Sequence, residues 1–191
     1  MPAHPPHPVP DRPGAPTALL ITGTVGVGKT TAADLLGDLL ADAGIPHAVI
    51  DLDRLRGFRP APPDDPFGHR LLVDNLRAVA ARYTAAGARH LVLAGVAENA
   101  AERDDLRAAI GMPLRVCRLT ADLPAVHDRL GRRHAADHDL ASLPWHVERA
   151  GELARVLDAT GPADAIVDTT ALRPAEVAAA VLADTGWLAP A

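Results

Sequence analysis

Short apolar runs alternate along this chain with longer stretches of helical period, and each run breaks at a glycine, a proline or an acidic residue. Ala18-Leu19-Leu20-Ile21-Thr22 comes first and ends in a glycine-rich turn, as a strand buried on both faces does. A helix is expected from about Thr30, with Leu36, Leu39 and Ala43 at helical spacing, Ala32 and Leu35 widening the stripe, and Gly44 and Pro46 as the stop. Ala48-Val49-Ile50-Asp51 is the second strand. Leu72, Leu76, Val79 and Tyr83 mark the next helix by their spacing, and His90-Leu91-Val92-Leu93-Ala94 is a third strand ending at Gly95. The alternation continues with a helix around Glu102 to Ile110, a strand Leu114 to Leu119, and a helix Leu123 to His134 with Asp122 as N-cap. A helix Trp145 to Asp158, a strand Ala165-Ile166-Val167-Asp168 and a last helix opened by Pro174 complete the series.

Strands that alternate with helices predict an α/β fold, a parallel sheet covered on both faces by right-handed crossovers. Ligands bind such sheets at the carboxyl ends of the strands, so the residues just after each strand are the ones to inspect. Two segments fall outside the alternation. Residues 57 to 68 hold Pro60, Pro62, Pro63 and Pro66 and form a loop, of a length usually tied to a lid or binding surface, in which Phe58 and Phe67 help cover a ligand. Residues 1 to 16 hold seven prolines and are expected to be a disordered leader, with His4 and His7 as solvated bystanders and residues 17 to 191 as one domain.

Composition narrows the class. The 191 residues carry a net charge of -5, with 48% apolar residues, enough for an ordinary core in one domain. Mild acidity speaks against a protein that coats nucleic acid. Cys117 is the only cysteine, which excludes an internal disulfide and a Cys-based zinc site and fits a reducing cytoplasm. No apolar run approaches a membrane span. His134, His138 and His146 lack zinc-site spacing, and Ser142, the only serine, lies in no nucleophile motif.

Gly23-Thr24-Val25-Gly26-Val27-Gly28-Lys29-Thr30 satisfies G-x-x-x-x-G-K-[ST] between the first strand and the first helix, the context this phosphate-binding pattern needs. Its backbone N–H groups, through Thr31, would converge on an anion at a helix N-terminus. Lys29 would reach the β and γ phosphates, and the Thr30 hydroxyl would ligand Mg²⁺. The 18 arginines supply every other fixed cation, so the one lysine stands where a compact ammonium must fit under phosphates. The lack of a second lysine for a guanine-reading NKxD motif speaks against a standard GTPase, the chain is short for an oligomeric motor ATPase, and small kinases remain the best class.

On these residues the chain resembles the small P-loop kinases related to shikimate, gluconate and adenylylsulfate kinases and the chloramphenicol phosphotransferase group. The resemblance covers most of residues 18 to 185 and rests on the P-loop, Asp51-Leu52-Asp53-Arg54-Leu55-Arg56, Arg129 to Arg133, and Val167-Asp168-Thr169-Thr170. It implies a P-loop NTPase three-layer αβα sandwich with a five-stranded parallel sheet, nucleoside-monophosphate-kinase-like, and an ATP- and Mg²⁺-dependent activity. By the same resemblance Asp51 holds Mg²⁺ while Asp53 meets the acceptor hydroxyl. Arg56 matches an arginine of the adenylylsulfate kinase pattern, with Leu52 and Arg54 where that pattern has glycine and asparagine. Gly95 falls beside the acceptor, where shikimate kinases have three glycines. Arg129 or Arg133 closes over the phosphates, and Asp168 and Thr169 lie where this class packs adenine. Glu98 contacts the acceptor or supports Arg56, or is an exposed loop acid.

The reading is thus a kinase acting on a small-molecule hydroxyl acceptor, a monomer or homodimer in the cytoplasm, without membrane contact and without nucleic acid as a main partner. Two alternatives stay open: a nucleotide-binding regulatory ATPase that acts through a protein partner, and a kinase acting on nucleic-acid ends.

Overall fold

The computed structural model describes residues 16–159 and 163–187, so the expected leader, Pro16 excepted, lies outside the described residues. Five strands, β1 (Thr17–Gly23), β2 (His47–Asp51), β3 (His90–Ala94), β4 (Leu114–Thr120) and β5 (Ala165–Asp168), pair in parallel in the order β2-β3-β1-β4-β5. The helices are α1 (Lys29–Asp42), α2 (Leu52–Leu55), α3 (His69–Ala85), α4 (Ala100–Ile110), α5 (Leu123–Ala136), α6 (Leu143–Ala159) and α7 (Pro174–Thr185). Strand order reverses at β1: the chain leaves it for β2, returns to β3 on its near side, then crosses to β4. That reversal opens a crevice over the carboxyl end of β1, where the phosphate loop lies.

Strand alternation divides the core. Leu20, Ile50, Leu91, Leu93 and Val116 face α2, α3 and α4, whereas Leu19, Ile21, Val92, Cys117, Leu119 and Val167 face α1 and α7. A smaller cluster of Val126, Leu130 and Ala150 joins α5 and α6 and seats them on Val25 of the phosphate loop.

Two local expectations need correction, and one short helix is new. In α1 the buried face is Ala32, Ala33, Leu36, Gly37 and Leu40, and Leu39 is 42% exposed. The cause is Gly37: a Cβ there would lie 2.7 Å from Val49 Cγ2, so the helix presses its glycine onto β2 and turns Leu39 out. After Asp51 the chain winds at once into α2, capped by the Asp51 carboxylate, which accepts from the Asp53 amide at 2.9 Å. Asp122 does stand at the N-terminus of α5, but its side chain makes no capping bond, and its own amide donates to Thr170 Oγ1 at 3.0 Å.

Cys117 is fully buried in β4, and burial first, then the charge of Asp184, pushes its thiol up to about 12. From pH 9 to about 12 the unfolded thiol releases a proton that the folded one keeps, so this group lowers stability as pH rises through that window. Iodoacetamide at pH 8 is expected to leave native Cys117 unmodified by mass spectrometry and to alkylate it fully in urea; rapid labelling of native protein would contradict this packing.

Candidate active site

The phosphate loop takes its shape from backbone that only glycine tolerates. Gly23 has φ 144, and a Cβ on it would sit 2.5 Å from the Leu119 carbonyl oxygen. Gly26 has φ 81 and packs against Leu130 of α5, so loop and helix share one surface. Gly28, left-handed at φ 104, opens α1 with no side-chain cap, leaving the first helical N–H groups facing the crevice.

Lys29 lies inside this loop, part-buried, with Nζ donating to the Thr24 carbonyl at 2.9 Å. Desolvation lowers its pKa from 10.5 to about 8; Asp53 and then Asp51 work against that shift, and Arg133 adds to it. Three residues singled out from sequence, Asp51, Asp53 and Arg133, thus act electrostatically on one ammonium. Thr30 Oγ1 lies 3.2 Å from Asp51 Oδ2, while the other oxygen of Asp51 is held by the Asp53 amide. A hydroxyl beside a carboxylate oxygen is a hard oxygen pair, and the set fits Mg²⁺. Asp53 is exposed to the crevice, with Oδ1 3.6 Å from Arg56 Nε. Arg56 also reaches the Phe67 carbonyl at 3.4 Å, so it ties the proline-rich loop to the Asp53 segment. Gly95 allows a close approach: a Cβ there would meet Leu52 Cβ at 2.7 Å, so its absence seats α2 on the end of β3.

The arginines of α5 separate by direction. Arg132 pairs outward with Asp128 at 2.6 Å, both exposed, a contact worth under about 1 kcal/mol. Arg129 turns inward and donates to Thr169 O at 2.6 Å, Thr169 Oγ1 at 3.0 Å, and the carbonyls of Thr170 and Val27 at 3.4 Å. Arg133, four residues on, is exposed, and its charge adds to the lowering of the Lys29 pKa. Thr169 is 1% exposed and its hydroxyl is engaged with Thr120 O at 3.0 Å, so its side chain positions Arg129 and is closed to a bound base. Asp168 stays exposed and accepts from the Thr170 amide and hydroxyl at 2.9 and 2.7 Å; those bonds hold its carboxyl below the usual range.

Among the phosphate-loop residues, Val27 is buried and the Thr24 hydroxyl is turned away from the cradle to the Ala150 carbonyl of α6. That leaves main-chain groups, Lys29, Thr30 and the exposed Thr31 toward the crevice. Two functional contacts had no signal in the sequence. Thr24 meets Ala150, and Glu98 pairs with Arg149, which also holds Glu152 at 2.7 Å. Arg149 and Glu152 stand three apart on one helix, a detectable pair, but Glu98 lies 51 positions away and only the fold brings it near.

Comparison with solved structures shows the fold. An APS kinase from Mycobacterium tuberculosis, in complex with AMPPNP and APS, superposes with a TM-score of 0.59 at 23% identity, covering 91% of this chain and 99% of that one. A gluconokinase from Sinorhizobium meliloti 1021 gives 0.58 at 21% identity, over 91% and 94%. The Deinococcus radiodurans tunicamycin resistance protein gives 0.59 at 22% identity, over 91% and 96%. No family model and no curated protein matches the sequence. The neighbours include the gluconate and adenylylsulfate kinase groups that the motifs resemble, and the five-stranded α/β architecture is the P-loop kinase fold. Among the described residues no helix is long and apolar enough to cross a membrane.

The single lysine makes its charge state directly measurable. Between about pH 8 and 10.5 the folded chain has released a proton that the unfolded chain keeps, so the burial cost is complete below 8 and fades as pH rises. With ¹³C-lysine labelling, the one side-chain Cε signal is expected to titrate near 8 in the native protein and near 10.5 in denaturant. A native midpoint at the ordinary value would show that the ammonium is not enclosed.

Proposed function

We propose that this chain is an ATP- and Mg²⁺-dependent phosphotransferase that moves the γ-phosphoryl group to a hydroxyl of a small molecule. The observation that carries this reading is a glycine-shaped phosphate loop whose sole lysine lies on the Thr24 carbonyl at 2.9 Å, with the Thr30 hydroxyl 3.2 Å from Asp51 beside it. The loop amides and Lys29 hold the β and γ phosphates, and the ammonium exchanges its bond to Thr24 for bonds to phosphate oxygens. Mg²⁺ held by Thr30 and Asp51 would neutralise charge shared between those phosphates. Asp53, free of the metal pair and facing the crevice, orients the acceptor hydroxyl and takes its proton as the oxygen bonds to phosphorus and the bond to ADP breaks. Arg133 faces the transferring group from α5 and balances its charge, while Arg129 shapes the loop after β5 that receives the base. Arg56 and the backbone at Gly95 border the acceptor. Asp168 keeps its turn open for the nucleotide, whose contacts there are with backbone.

The solved APS kinase of the same fold holds AMPPNP, which supports ATP as donor. A likeness of fold at 21–23% identity does not specify the acceptor, which a substrate screen would identify. The enzyme is proposed to act in the cytoplasm as a monomer or homodimer.

A panel of hydroxylated metabolites and antibiotics, incubated with ATP, Mg²⁺ and the protein, is expected to contain a compound that gains one phosphate by mass. Lys29→Ala abolishes binding of ATP in calorimetry. Asp53→Asn keeps ATP affinity within about twofold and lowers transfer by about 10²- to 10⁴-fold. Undiminished transfer by Asp53→Asn would remove that carboxylate from the base role, and full ATP affinity in Lys29→Ala would overturn the cradle itself.

A further inference from the structure

Thr24 has both of its oxygen atoms engaged within the phosphate loop. Its hydroxyl donates to the Ala150 carbonyl of α6 at 2.6 Å, and its own carbonyl accepts from the Lys29 ammonium at 2.9 Å. The residue is only 6% exposed, so water does not compete for either bond. One residue therefore connects the position of α6 to the position of the ammonium.

The turn of α6 that carries Ala150 is held from another side. Arg149 pairs with Glu98, in the loop after β3, and with Glu152 at 2.7 Å; its side chain is 20% exposed. Apolar contact of Val147 and Ala150 with Val25 and the α5 residues fills space but leaves helix register loosely specified. A half-buried guanidinium between two carboxylates is directional and specifies register.

We propose that Arg149 is a positioning residue: by pinning α6 to Glu98 it sets the Ala150 carbonyl, through it Thr24, and through Thr24 the seat of the Lys29 ammonium. The inference rests on the nucleotide-binding reading above and adds a coupling to it. Glu98 follows β3, on the acceptor side of the crevice, and Lys29 serves the donor. Any acceptor that competes for Glu98 changes nucleotide affinity, and by reciprocity nucleotide changes acceptor affinity by the same factor.

Calorimetric titration of the full chain with ATP and Mg²⁺ tests this. Arg149→Ala and Thr24→Val are each expected to weaken ATP about five- to tenfold. The double variant is expected to lose no more than the worse single one, because both cut the same path. Thr24→Ser, which keeps the hydroxyl, restores affinity. A role confined to packing would lower the melting temperature yet leave ATP affinity unmoved in the folded protein; that result, or additive losses in the double variant, overturns the proposal. Should Arg149→Ala fail to fold, Glu98→Gln keeps the side-chain shape and carries the same expected loss. Absence of ATP binding by the wild-type protein removes this proposal together with the donor-site reading, whereas wild-type binding with an unmoved Arg149→Ala affinity removes the positioning role alone.

Discussion

Lys29 carries a full charge into the end of a parallel sheet, where the groups around it are mostly backbone, and the cost of keeping it there organises the crevice. A partly desolvated ammonium needs acceptors, and without phosphate it takes the Thr24 carbonyl and the fields of Asp53 and Asp51. None of these cancels the desolvation, which is why the pKa falls to about 8. The protein thus holds a cation in a place that a polyanion would relieve. Electrostatic preorganisation of this kind commits part of the folding free energy to the site.

The shape of the phosphate loop was legible in the sequence because it is local. Eight consecutive residues carry the loop, their glycines answer to φ values that other residues avoid, and the strand and helix on either side show by their apolar spacing. The five strands and the longer helices between them were legible for the same reason, whereas the four-residue α2 was not. What the pattern missed are contacts set by tertiary approach. Gly37 rotates α1 by bringing β2 close, and Gly95 does the same for α2 and β3; a glycine inside a helix or after a strand does not announce which neighbour it admits. The Glu98–Arg149 and Thr24–Ala150 contacts, 51 and 126 positions apart, have no local signature at all.

The acceptor side is different in kind. Residues 57 to 68 have no regular structure; they are placed by point contacts, with Asp65 accepting from the amides of His69 and Leu71 and Arg56 reaching the Phe67 carbonyl. Phe58 and Phe67 are 56% and 78% exposed, although these are the chain's only phenylalanines. Their shape toward an acceptor follows from side-chain arrangement, which no period in the sequence encodes. In the proposed reading, reaction type is carried by the sheet end and the phosphate loop, whereas the choice of acceptor is carried by a loop.

The arginines of α5 show how one helical repeat divides a charge cluster into separate duties. Arg129 is part-buried against the loop after β5, Arg132 points outward to Asp128, and Arg133 is exposed four residues beyond Arg129. Arg129 meets backbone carbonyls of Thr169, Thr170 and Val27, so its donors are already spent on holding the loop after β5 against the phosphate loop. The charge of Arg133 disfavours the Lys29 ammonium, a repulsion that nearby negative charge would relieve. A cation that costs energy in the free protein and repays it with ligand bound is a means of binding and not of folding. That sign difference, more than proximity, separates the two arginines.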